Sequence, residues 1–141
     1  MDRSASAVWQ GDLKGGKGTI STQSGAIKDA QYSFKTRFEN GTGTNPEELI
    51  AAAHAGCFSM AFANELATAG HTATSVDTTA VVTLEMLPGG PTVTRIHLKN
   101  KSSVPGIDKA KFDEIAKKAK EGCPISRLLK AAEITLDAEL S

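Results

Sequence analysis

Two cysteines and a few charged side chains carry whatever covalent chemistry this chain can do. Cys57 lies in Ala51-Ala52-Ala53-His54-Ala55-Gly56-Cys57-Phe58-Ser59-Met60, and Cys123 stands directly before Pro124. Read as an ordinary residue, Cys57 is an inert core thiol, because unpaired cysteine is among the most buried residue types. A mid-helix position gives it no dipole assistance, so any activation has to come from side chains brought to it. Cys123 is placed at a helix N-cap, where free amides and the helix dipole lower a thiol pKa, and on physical grounds it is the better thiolate. The candidate partners of Cys57 are His54, Glu47, Glu48 and Arg37. His54, three residues earlier, shares a helix face with it, which leaves a Cys–His hydrolase open, although the local signatures of cysteine-protease families are absent.

Glu47 and Glu48 precede Cys57 by about two to three helical turns. At ~100° per residue Glu47 points about 80° from Cys57 and Glu48 about 180° away, so direction favours Glu47. Ten residues of helix is about 15 Å of rise, too far for contact within one chain. Glu47 could reach the Cys57 of a second copy if the two helices cross antiparallel. Arg37 falls on the polar parity of a strand-like stretch, where the ordinary reading is a solvated arginine.

The element that must position these groups is a long helix from Pro46 to Ala69. Asn45 is an N-cap acceptor, Pro46 suits the first helical position, Glu47 and Glu48 complement the positive end of the dipole, and Gly70 stops the helix. Small or apolar residues cover nearly every face, which predicts a buried helix. A domain this small can barely cover such a helix alone, so an obligate dimer is expected.

Around it, Ala5–Gln10 and Gly18–Ser24 read as strands joined by Gly11-Asp12-Leu13-Lys14-Gly15-Gly16-Lys17. That glycine-rich connector is a hairpin loop rather than a phosphate cradle, because phosphate loops open a helix and this one leads into a strand. Gln31–Phe38 reads as a third strand, with Tyr32, Phe34 and Phe38 on one face. Ser75–Leu87 and Thr92–Lys101 form a hairpin about Pro88-Gly89-Gly90-Pro91. Asp108 caps a helix burying Phe112, Ile115, Ala116 and Ala119, and Gly122 ends it. Its Lys117, Lys118 and Lys120 read as a solvated face. Cys123–Lys130 forms a further short helix, and Ala132–Leu140 a final strand with Ile134, Leu136, Ala138 and Leu140 on one side. The expected class is α+β, one domain over residues 1–141, without repeated βαβ units.

The totals narrow the function. The chain has 141 residues, with 16 basic and 16 acidic side chains and no block of like charge. Nucleic acid and anionic membrane surfaces are therefore not expected partners. No run approaches the roughly 18 apolar residues of a membrane span. The N-terminus lacks the basic-then-apolar order of a secretory signal, so a cytoplasmic location is the expectation. With two distant cysteines, three histidines (His54, His71 and His97) and no Cys-x-x-Cys, no metal site and no cofactor are expected.

Thr44-Asn45-Pro46-Glu47-Glu48-Leu49 followed by Ala51–Met60, together with Gly122-Cys123-Pro124-Ile125-Ser126, closely resembles the osmotically inducible protein C (OsmC) family. Trp9 with Gly11-Asp12, Gly16–Thr19, Phe34–Phe38 and Val104–Asp108 extend the likeness over nearly the whole chain. The His-Ala-Gly-Cys context resembles the OsmC branch rather than the related organic hydroperoxide resistance branch. The resemblance implies a thiol peroxidase that reduces organic hydroperoxides, and hydrogen peroxide besides, in stress defence. It implies that Cys57 is the peroxidatic cysteine and Cys123 the resolving cysteine that closes a Cys57–Cys123 disulfide. Arg37 matches the arginine that stabilises the thiolate, and Glu47 the glutamate that holds this arginine. The implied assembly is an intertwined homodimer with two active sites at the subunit interface, reduced by an external dithiol of lipoyl type. Two other readings stay open here: a lipophilic-ligand binding protein with incidental cysteines, and a Cys–His hydrolase using His54.

Overall fold

A computed structural model describes residues 1–141, in the order β1 Ala5–Gln10, β2 Lys17–Thr22, β3 Ala30–Ser33, α1 Phe34–Phe38, α2 Pro46–Thr68, β4 Ser75–Leu87, β5 Gly90–Ser103, α3 Lys109–Gly122, α4 Pro124–Leu128 and β6 Glu133–Leu140. The mixed α+β class is as expected. The chain divides into two compact units, Met1–Leu49 and Ile50–Ser141, with the boundary inside α2.

The first unit is an antiparallel sheet in the order β1-β2-β3 followed by a helical turn. The Gly11–Gly16 connector is a hairpin loop: the Asp12 carboxylate accepts from the backbone N–H groups of Lys14 and Gly15 at 2.9 and 2.8 Å. Those two bonds hold its pKa below the usual carboxylate value. Trp9, Gly18 and Tyr32 lie side by side across the three strands. A Cβ on Gly18 would come within 2.4 Å of the Tyr32 ring, so glycine is what lets that ring lie on the sheet near Trp9.

One expectation fails here. The strand expected over Gln31–Phe38 stops at Ser33, and Phe34–Phe38 is helical. Ser33 and Thr36 form a capping box: the Ser33 side chain accepts from the Thr36 N–H, and the Thr36 hydroxyl accepts from the Ser33 N–H. These two local bonds outweigh the strand-like alternation of Tyr32 and Phe34. The turn brings Phe34 and Phe38 together, ring centroids 4.9 Å apart.

The start of α2 follows the capping argument. The Asn45 side-chain carbonyl accepts from the Glu48 N–H at 2.9 Å, and its amide donates to the Thr36 carbonyl at 3.2 Å. One side chain therefore caps α2 and ties it to α1. Asn45→Ala should lower stability by about 1 kcal/mol, read as a drop in the chemical-denaturation midpoint; an unchanged midpoint would remove the cap from the account. At the other end Gly70 adopts φ 85°, and the His71 N–H donates back to the Leu66 carbonyl at 2.9 Å.

The second unit is a sheet in the order β4-β5-β6 backed by helices. The hairpin is longer than expected, with pairing running to Leu87–Gly90, so Gly90 and Pro91 belong to the strand. More consequential is that β6 pairs parallel to β5. The segment α3–α4 is thus the crossover of one βαβ unit, where separate helices and a final strand were expected. On the inner face of the sheet Ile96, Leu98, Asn100 and Ser102 are buried, next to Ile134, Leu136, Ala138 and Leu140 of β6. That face packs with Phe58, Phe62 and Leu66 of α2 and Phe112, Ile115, Ala116 and Ala119 of α3 in one core.

The core is not wholly apolar. Ser59 of α2 donates to Thr78 at 2.8 Å, Asn100 donates to Thr78 and to the Asp77 carbonyl, and Ser102 donates to Asn100. These four groups answer one another, which keeps their burial from becoming a penalty.

The long helix is buried on one face only by its own chain. His54, Phe58, Phe62 and Leu66 recur every four residues and are fully buried. Ala52, Ala53, Gly56 and Met60 form the exposed side, with Met60 76% exposed. No helix is long and apolar enough to cross a membrane.

Candidate active site

Within the first unit, α1 and the first turn of α2 bring Arg37 and Glu47 together. The Arg37 Nε donates to Glu47 Oε1 and Oε2 at 3.2 and 3.3 Å, and Nη2 donates to Oε1 at 2.9 Å. This is a fork-to-carboxylate pair, the geometry that suits a planar guanidinium and fixes its plane. Glu47 is mostly buried and Arg37 is 38% exposed. The carboxylate is also the second residue of α2, where its charge faces the positive end of the helix. The guanidinium carbon lies 5.3 Å from the centre of the Phe38 ring. Arg37 is therefore neither on a strand nor simply solvated, and the bent backbone at Ser33 is the reason. Its side chain also lines an apolar pocket of about 270 Å³ with Trp9, Leu13, Tyr32, Phe34 and Phe38. Sequence reading missed that pocket, since it depends on the turn at Ser33.

Within the second unit, α2 and the start of α4 bring the two cysteines together. Both are free thiols, and the Cys123 Sγ donates to the Cys57 Sγ at 3.1 Å. Cys123 is fully buried, whereas Cys57 is partly accessible. The N-cap argument for Cys123 needs correcting: its sulfur makes no hydrogen bond to the amides of α4, and faces Cys57 instead. Burial pushes the Cys57 thiol above its ordinary value. The Cys123 thiol raises it further, as hydrogen-bond partner and by like-charge repulsion, and a backbone hydrogen bond with Ile125 offsets part of this. A thiol held this way needs a cation to ionise near neutral pH.

His54 is fully buried and does not face a sulfur. Its Nε2 pairs with the Ser126 hydroxyl at 2.7 Å, and its Nδ1 has no hydrogen-bond partner. Burial lowers its pKa, which favours the neutral ring. A Cys–His hydrolase needs a Cys–His hydrogen bond, and here the ring nitrogen that bonds is committed to Ser126. No group of three or more His, Cys, Asp or Glu side chains is arranged to hold a metal ion.

The fold and this pair of sulfurs define a class. The family model for OsmC-like proteins matches residues 39–139, which contain both cysteines. The chain is 56% identical over 140 residues to peroxiredoxin OsmC of Escherichia coli strain K12, covering 99% of this chain and 97% of that one. It is 33% identical over 119 residues to the organic hydroperoxide resistance protein of Xanthomonas axonopodis pv. citri, 79% of each chain being covered. Among solved structures, the OsmC-like protein of Mycoplasma pneumoniae superposes with a TM-score of 0.74 at 16% identity, covering 99% of this chain and 97% of that one. The organic hydroperoxide resistance protein OhrB of Bacillus subtilis gives 0.68 at 24%, with 98% of each covered; both establish the fold. The chain belongs to the OsmC-like family.

Proposed function

We propose that this protein is a cysteine-based peroxidase that reduces organic hydroperoxides to alcohols. The observation that carries the reading is the pair of reduced sulfurs, Cys57 and Cys123, held 3.1 Å apart on two elements of one unit. Similarity to a peroxiredoxin over almost the full length supports it. The Cys57 thiolate attacks the terminal oxygen of R–O–OH; an S–O bond forms, the O–O bond breaks, and the alkoxide takes a proton to leave as alcohol. The Cys123 sulfur then attacks the Cys57 sulfenic acid, giving the disulfide and water.

Arg37 is the cation assigned to ionise Cys57. With Nε and one Nη2 bond given to Glu47, the rest of the fork remains to donate to sulfur and to the peroxide oxygen. The apolar pocket lined by Trp9, Phe34 and Phe38 beside Arg37 favours hydroperoxides with an organic tail over hydrogen peroxide. An external dithiol, of lipoyl type, reopens the disulfide by attack on Cys57, because Cys123 is fully buried. No cofactor is assigned. Hydroperoxide consumption with a dithiol reductant tests this reading; no turnover by the wild type would overturn it.

The working form is assigned as a homodimer with the active sites at its interface. The exposed Ala52, Ala53, Gly56 and Met60 side of α2 supplies a face small enough for a second helix to approach closely. Arg37 and Glu47 of one copy then serve Cys57 of the other. Co-expression of Arg37→Met and Cys57→Ser chains checks this: heterodimers hold one competent site, and about a quarter of wild-type activity should return. If mixed dimers form and no activity returns, the two groups act within one chain.

A further inference from the structure

Two side-chain contacts between α4 and α2 share one spacing. Cys57 meets Cys123, and three residues back on α2 His54 meets Ser126, three residues onward from Cys123. The hydrogen bond therefore lies one turn beyond the sulfur pair, between the same two elements. His54 is fully buried and Ser126 is 5% exposed. In the core the His54 Nδ1 goes without a partner, where an apolar side chain would bring no unsatisfied nitrogen of its own. What the histidine provides in exchange is its bond to Ser126.

We propose that His54 and Ser126 are positioning residues for the resolving step. The proposal rests on the peroxidase reading and adds a role that the two sulfurs do not supply. After the first oxidation Cys57 carries –SOH, and the Cys123 thiol no longer has a free sulfur to donate to in the same geometry. The His54–Ser126 bond is unaffected by that change and keeps α4 in register on α2. Cys123 attacks; the S–S bond forms, the Cys57 S–O bond breaks, and hydroxyl and thiol proton leave as water. The competing fate is attack of the sulfenic acid on a second hydroperoxide, which adds an oxygen to give the sulfinic acid and releases alcohol. Register at Cys123 decides between them, because an oriented intramolecular reaction depends steeply on placement. Burial favours the neutral ring, and a neutral imidazole can still share a hydrogen bond with the Ser126 hydroxyl.

The test uses the reduced full chain, mixed rapidly with cumene hydroperoxide, with disulfide and sulfinic acid quantified by intact mass. In the double variant His54→Leu/Ser126→Ala both polar groups are removed together, so the fold should keep or gain thermal stability. Its disulfide formation should slow at least about tenfold, and sulfinic acid at Cys57 should rise with hydroperoxide concentration. His54→Gln, which can still bond Ser126, should lie nearer the wild type. If the double variant is less stable, Ser126→Ala alone carries the test, since it removes one oxygen and should show the same shift towards sulfinic acid. A folded variant that forms the disulfide at the wild-type rate with no added sulfinic acid overturns the proposal and leaves the peroxidase reading standing. Wild type that neither consumes hydroperoxide nor forms a disulfide overturns the peroxidase reading, and this one with it.

Discussion

Cys57→Ser should lose hydroperoxide reduction by on the order of 10⁴-fold or more while keeping its fold. The size follows from the chemistry: a serine hydroxyl at this position is neither ionised nor soft enough to take oxygen from a peroxide. The fold should survive because Cys57 is partly accessible, and the core beside it is built from Phe58, Phe62 and Leu66. Cys123→Ser should behave differently. It leaves the attacking sulfur in place, so a first equivalent of hydroperoxide still gives the Cys57 sulfenic acid, and a second equivalent carries it on to the sulfinic acid. Equal residual turnover in wild type and Cys57→Ser would mean that the sulfur pair is not the working group.

Arg37→Met should lower the rate of peroxide attack at pH 7 by on the order of 10²- to 10³-fold, the effect of removing one aimed donor from a charged reaction centre. The sign of its pH dependence is fixed by the charge. A guanidinium beside the sulfur favours the thiolate and so lowers the Cys57 pKa; without it, the upward push from burial and from the Cys123 thiol stands alone. The variant's rate should therefore climb with rising pH to a plateau more alkaline than that of the wild type. Arg37→Lys should restore only part, because an ammonium cannot engage both Glu47 oxygens and a sulfur with a fixed fork. A Cys57 thiol in the Cys123→Ser protein that titrates above about 8.5, the free-cysteine value, with Arg37 in place would remove Arg37 from the mechanism.

Much of the fold could be read from local chemistry. Asn45-Pro46 and Gly70 bound α2 because capping and backbone freedom act over a few residues, and Asp108 caps α3 with its carboxylate accepting from the Lys111 N–H. The parity of β6 followed from one buried face. The bend at Ser33 escaped because Thr36 is not the glutamate or glutamine that marks a capping box, and because Tyr32 and Phe34 alternate as in a strand. That single error put Arg37 on a solvated strand face and hid the aromatic pocket. The parallel pairing of β6 escaped for a different reason: alternation reveals which side of a strand is buried, not which neighbour it joins.

The site divides in the same way. Cys57, Cys123, Arg37 and Glu47 were proposed from their motifs, and the Arg37–Glu47 contact depends on a turn that alternation concealed. His54 drew notice only as a neighbour of Cys57. Its partner Ser126 is far away in sequence, and the one available signal was that each lies three residues from a cysteine, in opposite chain directions. A buried pair of this kind leaves no periodic trace.

The most direct measurement is the thiol inventory of the reduced protein after one equivalent of an organic hydroperoxide. The account predicts that each chain loses both thiols and the mass of two hydrogens, that the linked peptides are those of Cys57 and Cys123, and that a dithiol restores both. Two thiols per chain still titratable after exposure, or a linkage between the Cys57 residues of two copies in place of Cys57–Cys123, would contradict it.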